Sequence, residues 1–327
     1  MPAPQPKPHR ANALRRPRES MQSMQSPSSD DRRSQEVRDF ASAVADFLRQ
    51  HSAELRLYDW EIEPEVLEEA RDRWQVEIQP GTSVFEATNL LRMGISDRAR
   101  RYWESPADLL QLAEFVIKRW GALRGNASTT VSKYVERFRI DGLAPPLILQ
   151  YTQFSAGNGK GRRGSAWEFK GIASWSKWLN FVWPDWALIY DARIAFALNA
   201  IHFISGLDTR VFPTPPGRNP FLKNFDSESI AALRLLAKSN SEPGDAEELA
   251  RCSGSLRFAK DEAYPIYLDM MNVAHAQVWG ASAGATPLVH TEMLLFRLSV
   301  SHIPLHFVRA GVRAFRKQED PGPSTAT

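Results

Sequence analysis

Two residues in the middle of the chain have the types and spacing for amine chemistry. Lys177 lies in Ser176-Lys177-Trp178-Leu179-Asn180-Phe181, and Asp191 follows in Tyr190-Asp191-Ala192-Arg193-Ile194-Ala195. A lysine becomes nucleophilic when burial or a neighbouring cation lowers its proton affinity. Asp191 directly precedes the strongly helical run 192–204, which is the position of a capping residue. A carboxylate there accepts backbone N–H bonds and meets the positive end of the helix dipole, and both effects favour its ionised form. Lys177 falls in a helix that runs to about Val182, with Ser174 or Ser176 as its cap, and Pro184 and Asp185 end it. Two helices with a short connection pack antiparallel, so Lys177 and Asp191 are expected to face one space. The plainer reading makes Asp191 only a cap and Lys177 a surface lysine or half of an ion pair.

Other groups invite weaker readings. The stretch 155–164 reads SAGNGKGRRG, a glycine-rich loop whose Lys160, Arg162 and Arg163 could grip a DNA backbone, or simply be solvated. It lacks the Walker phosphate-loop pattern. Arg309, Arg313, Arg316 and Lys317 give the last helix a basic face, a second place for backbone contact or for solvation. His302 and His306 stand four apart, but no third ligand is evident and Pro304 is expected to disturb the helix between them. No metal site and no cofactor are therefore expected. Glu292 sits in an apolar helix, where burial would demand a partner such as Arg193 or Lys177. Neither a Gly-x-Ser-x-Gly elbow nor a dinucleotide fingerprint is present.

The order Gly171-Ile172-Ala173, then Ser176-Lys177 with Phe181, then Asp191-Ala192-Arg193-Ile194-Ala195 resembles the helix-hairpin-helix DNA glycosylase superfamily. More narrowly it resembles bacterial proteins described as having an 8-oxoguanine DNA glycosylase-like fold. The resemblance is concentrated in residues 167–200, with a weaker echo in Tyr264-Pro265-Ile266-Tyr267-Leu268 and Glu292-Met293-Leu294-Leu295-Phe296. It implies a nucleophilic lysine that attacks the sugar C1′, for which Lys177 is the candidate. It also implies an aspartate at a helix N-terminus that supports the cationic transition state, a place Asp191 matches. Arg193 would hold Asp191 or a phosphate, and the amides around Gly171 and Ala173 would hold another phosphate. Here Ala173 replaces the second glycine of the family's hairpin, and Lys177 stands six residues after Gly171 instead of four. A base must leave the duplex before such chemistry, into a pocket often lined by aromatics. Trp175, Trp178 and Tyr190, with Glu292, are the candidates for that pocket. The implied function is a DNA-glycosylase-like protein, with DNA as its partner and lysine-mediated lyase chemistry. The alternative is a non-catalytic DNA- or protein-binding module on the same scaffold, of regulatory or defence type.

The elements that must place these residues are helices. Apolar residues recur at helical spacing over 35–50, starting with Val37, Phe40 and Val44. Pro64 opens a helix over 64–74, Ser83 with Glu86 forms a capping box before a short helix ending near Gly94, and Ser105-Pro106 starts another. Further helices are expected over 130–138, 147–154, 228–238, 265–279, 291–301 and 305–317. Residues 239–256 read as polar loop with room for one turn of helix, and strand alternation is nearly absent. The expectation is an all-α domain over 35–318, divisible into two lobes about a centre at 167–206, with disordered tails at 1–34 and 319–327.

Composition sets bounds on this picture. The chain has 327 residues, 43% hydrophobic and 24% charged, which is ordinary for a globular protein. Residues 1–36 hold seven Lys/Arg and four Asp/Glu, an excess equal to the whole formal charge of +3. The remainder is neutral, so any grip on phosphates must come from local clustering. One cysteine, Cys252, excludes a disulfide framework and a multi-cysteine zinc site. With no apolar run long enough to cross a bilayer and no secretory leader, a cytoplasmic protein with no membrane partner is expected.

Overall fold

The computed structural model describes residues 29–122, 169–217, 226–238, 244 and 246–319. Among these the chain forms eleven α-helices: α1 (Ser29–Gln50), α2 (Pro64–Trp74), α3 (Val84–Arg101), α4 (Pro106–Glu114), α5 (Ile172–Val182), α6 (Ala192–Ile204), α7 (Ser227–Lys238), α8 (Ala246–Ser255), α9 (Ala263–Trp279), α10 (Leu288–Leu298) and α11 (His302–Glu319). The only extended pairing among them is an isolated parallel bridge between Val211 and Arg257. The all-helical expectation holds, and no described helix is long and apolar enough to cross a membrane.

Several boundaries fall where local chemistry puts them. Pro64 and Pro106 each occupy the first turn of their helix, where the missing N–H costs nothing. Ser83 accepts from the Glu86 amide at 3.2 Å, the first half of a capping box, while the Glu86 carboxylate accepts from the Ser83 hydroxyl at 3.1 Å in place of the Ser83 amide. α3, however, runs past Gly94 to Arg101. Gly94 is a packing residue: a Cβ there would come within 2.6 Å of Val76. α1 begins at Ser29, earlier than its apolar pattern, and Arg33 and Glu36 tie this first part to Glu262 and Arg210. α8 is a helix where a loop with room for one turn was expected; Glu247 and Glu248 in its first turn are the signal at its N-terminal end.

The core is organised around α6. Every residue from Ile194 to His202 is buried, so this helix is apolar on all sides and must be enclosed on all sides. α1, α7, α10 and α11 pack around it, α9 lies along α1, and α3 lies along α5. α5 is almost as deeply placed, buried from Trp175 to Val182. The two helices that carry Lys177 and Asp191 are thus both deeply enclosed in this body. The helices expected at 130–138 and 147–154 lie outside the described residues.

Candidate functional site

α5 begins at Ile172, with Gly171 as its N-cap in the left-handed region at φ 76°. That conformation is cheap only for glycine. Ser174 and Ser176 therefore lie inside the helix and do not cap it, and Ala173 belongs to its first turn. This start places Ser176 and Lys177 against the chain that enters α6. Ser176 Oγ accepts from the Tyr190 amide at 3.0 Å and donates to the Tyr190 carbonyl at 3.4 Å. Beside it, Lys177 Nζ donates to Asp191 Oδ2 at 3.1 Å and to the Ala173 carbonyl at 3.3 Å.

The segment entering α6 is held by side chains along its length. Asn180 donates to the Ala187 carbonyl at 2.8 Å, Tyr264 to the Leu188 carbonyl at 2.9 Å, and the Ile189 amide donates to Glu292 at 3.1 Å. Buried backbone groups without such partners would be costly, so this irregular stretch can lie inside only because those partners reach it. Its rigidity fixes Asp191, whose Oδ1 accepts from the amides of Arg193 at 3.0 Å and Ile194 at 3.2 Å. Burial pushes the Asp191 carboxyl up, but Lys177, the Ile194 amide and Arg193 outweigh it and hold the group below its ordinary value.

Lys177 is only 4% exposed. Gly121, which ends a single π-turn after α4 (Phe115–Trp120), covers its stem. A Cβ at 121 would lie 3.1 Å from Lys177 Cδ and 2.8 Å from the Ile117 carbonyl, so glycine is what permits this cover. Arg193 turns away from Asp191 and lays its guanidinium over Phe296 and Trp60, at 4.9 and 5.1 Å from the ring centres. It lines a groove of about 400 Å³ with Trp60, Glu61, Glu63, Arg119 and Trp120. In that groove Arg119 is paired with Glu69 at 3.0 Å, and Asp59 on its rim with Arg297 at 2.8 Å. A wider hollow of about 690 Å³ between α1 and 205–209 touches none of these groups.

Glu292 is buried, as its setting demanded, but its partner is neither Arg193 nor Lys177. Arg92 on α3 lies 3.4 Å away, and both residues are about 1% exposed. Asn180 and the Ile189 amide complete the shell of Glu292 at 3.2 and 3.1 Å. Burial raises the Glu292 carboxyl above its ordinary value, although Arg92 and the Ile189 amide pull it back. Arg92 also stands over Phe181.

The aromatic candidates take a different role from the expected one. Trp175, Trp178 and Tyr190 are sealed in the core and do not line an open pocket. Trp175 packs edge-on to Tyr264, and Tyr190 packs on Tyr267 and donates its hydroxyl to the Pro213 carbonyl at 2.7 Å. Apolar bulk decided their placement, and their residue types alone carry no signal that separates core from pocket. Family models, curated proteins and solved structures offer no match to this chain.

The structure brings Lys177, Asp191, Ala173 and the Arg193 amide to one point, with Gly171 at the head of the same helix. Lys160, Arg162 and Arg163 lie outside the described residues. Asn180 and Arg92 escaped the sequence reading, and Ser176 entered it only as a cap: Ser176 and Asn180 lie on the buried face of α5, and nothing local links Arg92 to residues 200 positions away. A third imidazole also joins His302 and His306. It is His51, and Pro304 falls in the first turn of α11, where it disturbs nothing.

Proposed function

We propose that this chain is a DNA-glycosylase-like protein of the helix-hairpin-helix type, with Lys177 as its nucleophile and Asp191 as its electrostatic partner. The supporting observation is that the lysine and the capping aspartate singled out by the resemblance stand 3.1 Å apart at the N-terminus of one helix. Lys177 Nζ, after giving a proton to solvent, attacks C1′ of the extruded nucleotide. The glycosidic electron pair leaves with the base, which takes up a proton. The C1′–O4′ bond then opens, O4′ is protonated, and a cationic imine remains on Lys177. The Asp191 carboxylate faces the positive charge that builds at C1′, and its two backbone N–H bonds keep it ionised and oriented.

A second reading has its own support. Lys177 is almost wholly enclosed, and the groove lined by Arg193 carries Asp59, Glu61 and Glu63 against Arg119 and Arg193. An acidic groove repels phosphates. In this reading Lys177 is a strut, and the scaffold binds DNA elsewhere or binds a protein.

Borohydride trapping separates the two. Duplexes holding an abasic site or 8-oxoguanine are incubated with wild type, Lys177→Ala and Lys177→Gln, whose folding is checked by circular dichroism. The first reading expects a covalent adduct with wild type and none with either folded variant. No adduct on either duplex, or one that persists without Lys177, refutes it.

A further inference from the structure

Away from the Lys177–Asp191 pair, three imidazoles converge where the two ends of the described body meet. His51 directly follows α1 and precedes the short 3-10 turn Ser52–Leu57, with no capping bond from its side chain. His302 opens α11, and His306 lies one helical turn further along the same face. The ring centres of His51 and His302 are 4.4 Å apart, and those of His51 and His306 are 6.0 Å apart. One nitrogen from each ring can be chosen so that all three lie within 4.8 Å of one another. All three residues are half-buried. The edge of Phe47 packs against His306 and forms an apolar wall.

The chemistry around the cluster is that of a prepared ligand set. His302 Nε2 lies 2.8 Å from Glu54 Oε1. Donating Nε2–H to that carboxylate fixes the tautomer and leaves the Nδ1 lone pair free, as in carboxylate–histidine–metal triads. Glu54 is itself steadied by Arg297, 3.9 Å away. Burial and the neighbouring imidazoles hold His51 below its ordinary value. Burial, Arg309, His302 and Arg313 do the same for His306. Metal–imidazole bonds of about 2.0–2.1 Å in a tetrahedron put the nitrogens about 3.3 Å apart. Small side-chain rotations span the difference.

We infer that His51, His302 and His306 bind a divalent transition ion of the zinc class, with Glu54 orienting His302 and the fourth position open to solvent. Three imidazoles suit zinc, copper, nickel or cobalt. Arg309 and Arg313 near His306 disfavour magnesium or calcium, which depend on anionic oxygen ligands. Bound there, the ion would fasten the end of α1 to the start of α11.

The test uses the full chain freed of metal with a chelator. Zn²⁺ is titrated by calorimetry, and Co²⁺ is followed by its visible ligand-field bands. Wild type should bind one equivalent and gain thermal stability with Zn²⁺. His51→Ala and His306→Ala should each weaken binding by about a hundredfold or more, and Glu54→Gln by about tenfold, the usual scale for an outer-shell partner. These side chains are half-exposed, and His306→Gln serves if either alanine variant fails to fold. The absence of saturable one-equivalent binding to wild type overturns the inference, as does binding undiminished in both folded histidine variants. Neither result bears on the lysine trapping.

Discussion

Replacing Asp191 with Asn separates two contributions that the structure superimposes. Asn caps a helix about as well as Asp, so the bonds from the Arg193 and Ile194 amides survive the change. The charge does not survive, and Lys177, 4% exposed, is left with the Ala173 carbonyl at 3.3 Å as its remaining described partner. Breaking a fully buried pair costs about 3–5 kcal/mol. The Asp191 side chain keeps 16% of its surface, so water can reach the gap and about 2–3 kcal/mol is expected here. Asp191→Ala should cost about 1 kcal/mol more, because the cap goes as well. Lys177→Met with Asp191→Asn removes both charges and should recover much of the loss, a coupling of about 1–3 kcal/mol. Urea unfolding of the wild type, the single variants Asp191→Asn, Asp191→Ala and Lys177→Met, and the double variant measures all of this. If Asp191→Asn falls within about 0.5 kcal/mol of wild type, or the cycle shows no coupling, the pair is not the tight buried contact described.

Two further perturbations test the interior. His202 is buried, bonded to the Thr209 carbonyl at 2.7 Å, and pushed by burial down to about 4 from an ordinary 6.5. Its stability contribution is present above pH 6.5 and is lost as pH falls towards 4, by about 3 kcal/mol in all. His290, also pushed down to about 4 by burial, adds to the same slope. Unfolding midpoints between pH 7 and 4 should show this fall, reduced in His202→Asn; an unchanged slope would count against the neutral buried imidazole. Glu292→Gln should cost about 3 kcal/mol or more, because it strands the buried Arg92 guanidinium. Chemical denaturation reads this directly, and a change under about 1 kcal/mol would mean that the Arg92 contact carries little.

What the sequence made legible was local. Asp191 before an apolar run, Pro64 and Pro106 at first turns, and Ser83 with Glu86 each satisfy backbone groups within a few residues, so their signals survive without tertiary information. The Lys177–Asp191 meeting was also accessible, because two helices with a short join have few ways to pack. Beyond that range the reading failed for physical reasons. Gly94 looked like a stop because glycine weakens helices, yet Val76 needs its missing side chain. The partner of Glu292 came from α3, which no spacing indicates. Trp175, Trp178 and Tyr190 have the bulk for either a core or a pocket, and burial sent them to the core. His51 belongs to the opposite end of the chain from His302, so the pair looked two-membered.

The enclosure of α6 also governs how the molecule opens. Between Ile194 and His202 this helix has no solvent face along which to fray, so the amides there become exposed only when the surrounding helices part together. The bonds from Arg193 and Ile194 to Asp191 extend this to the first turn, normally the loosest part of a helix. Local breathing of the kind that lets an edge helix sample open states is therefore denied to the ion pair. Any reagent or substrate that reaches Lys177 must either enter through a passage already present or wait for a cooperative rearrangement, which makes access, and not intrinsic reactivity, the slow variable at this position.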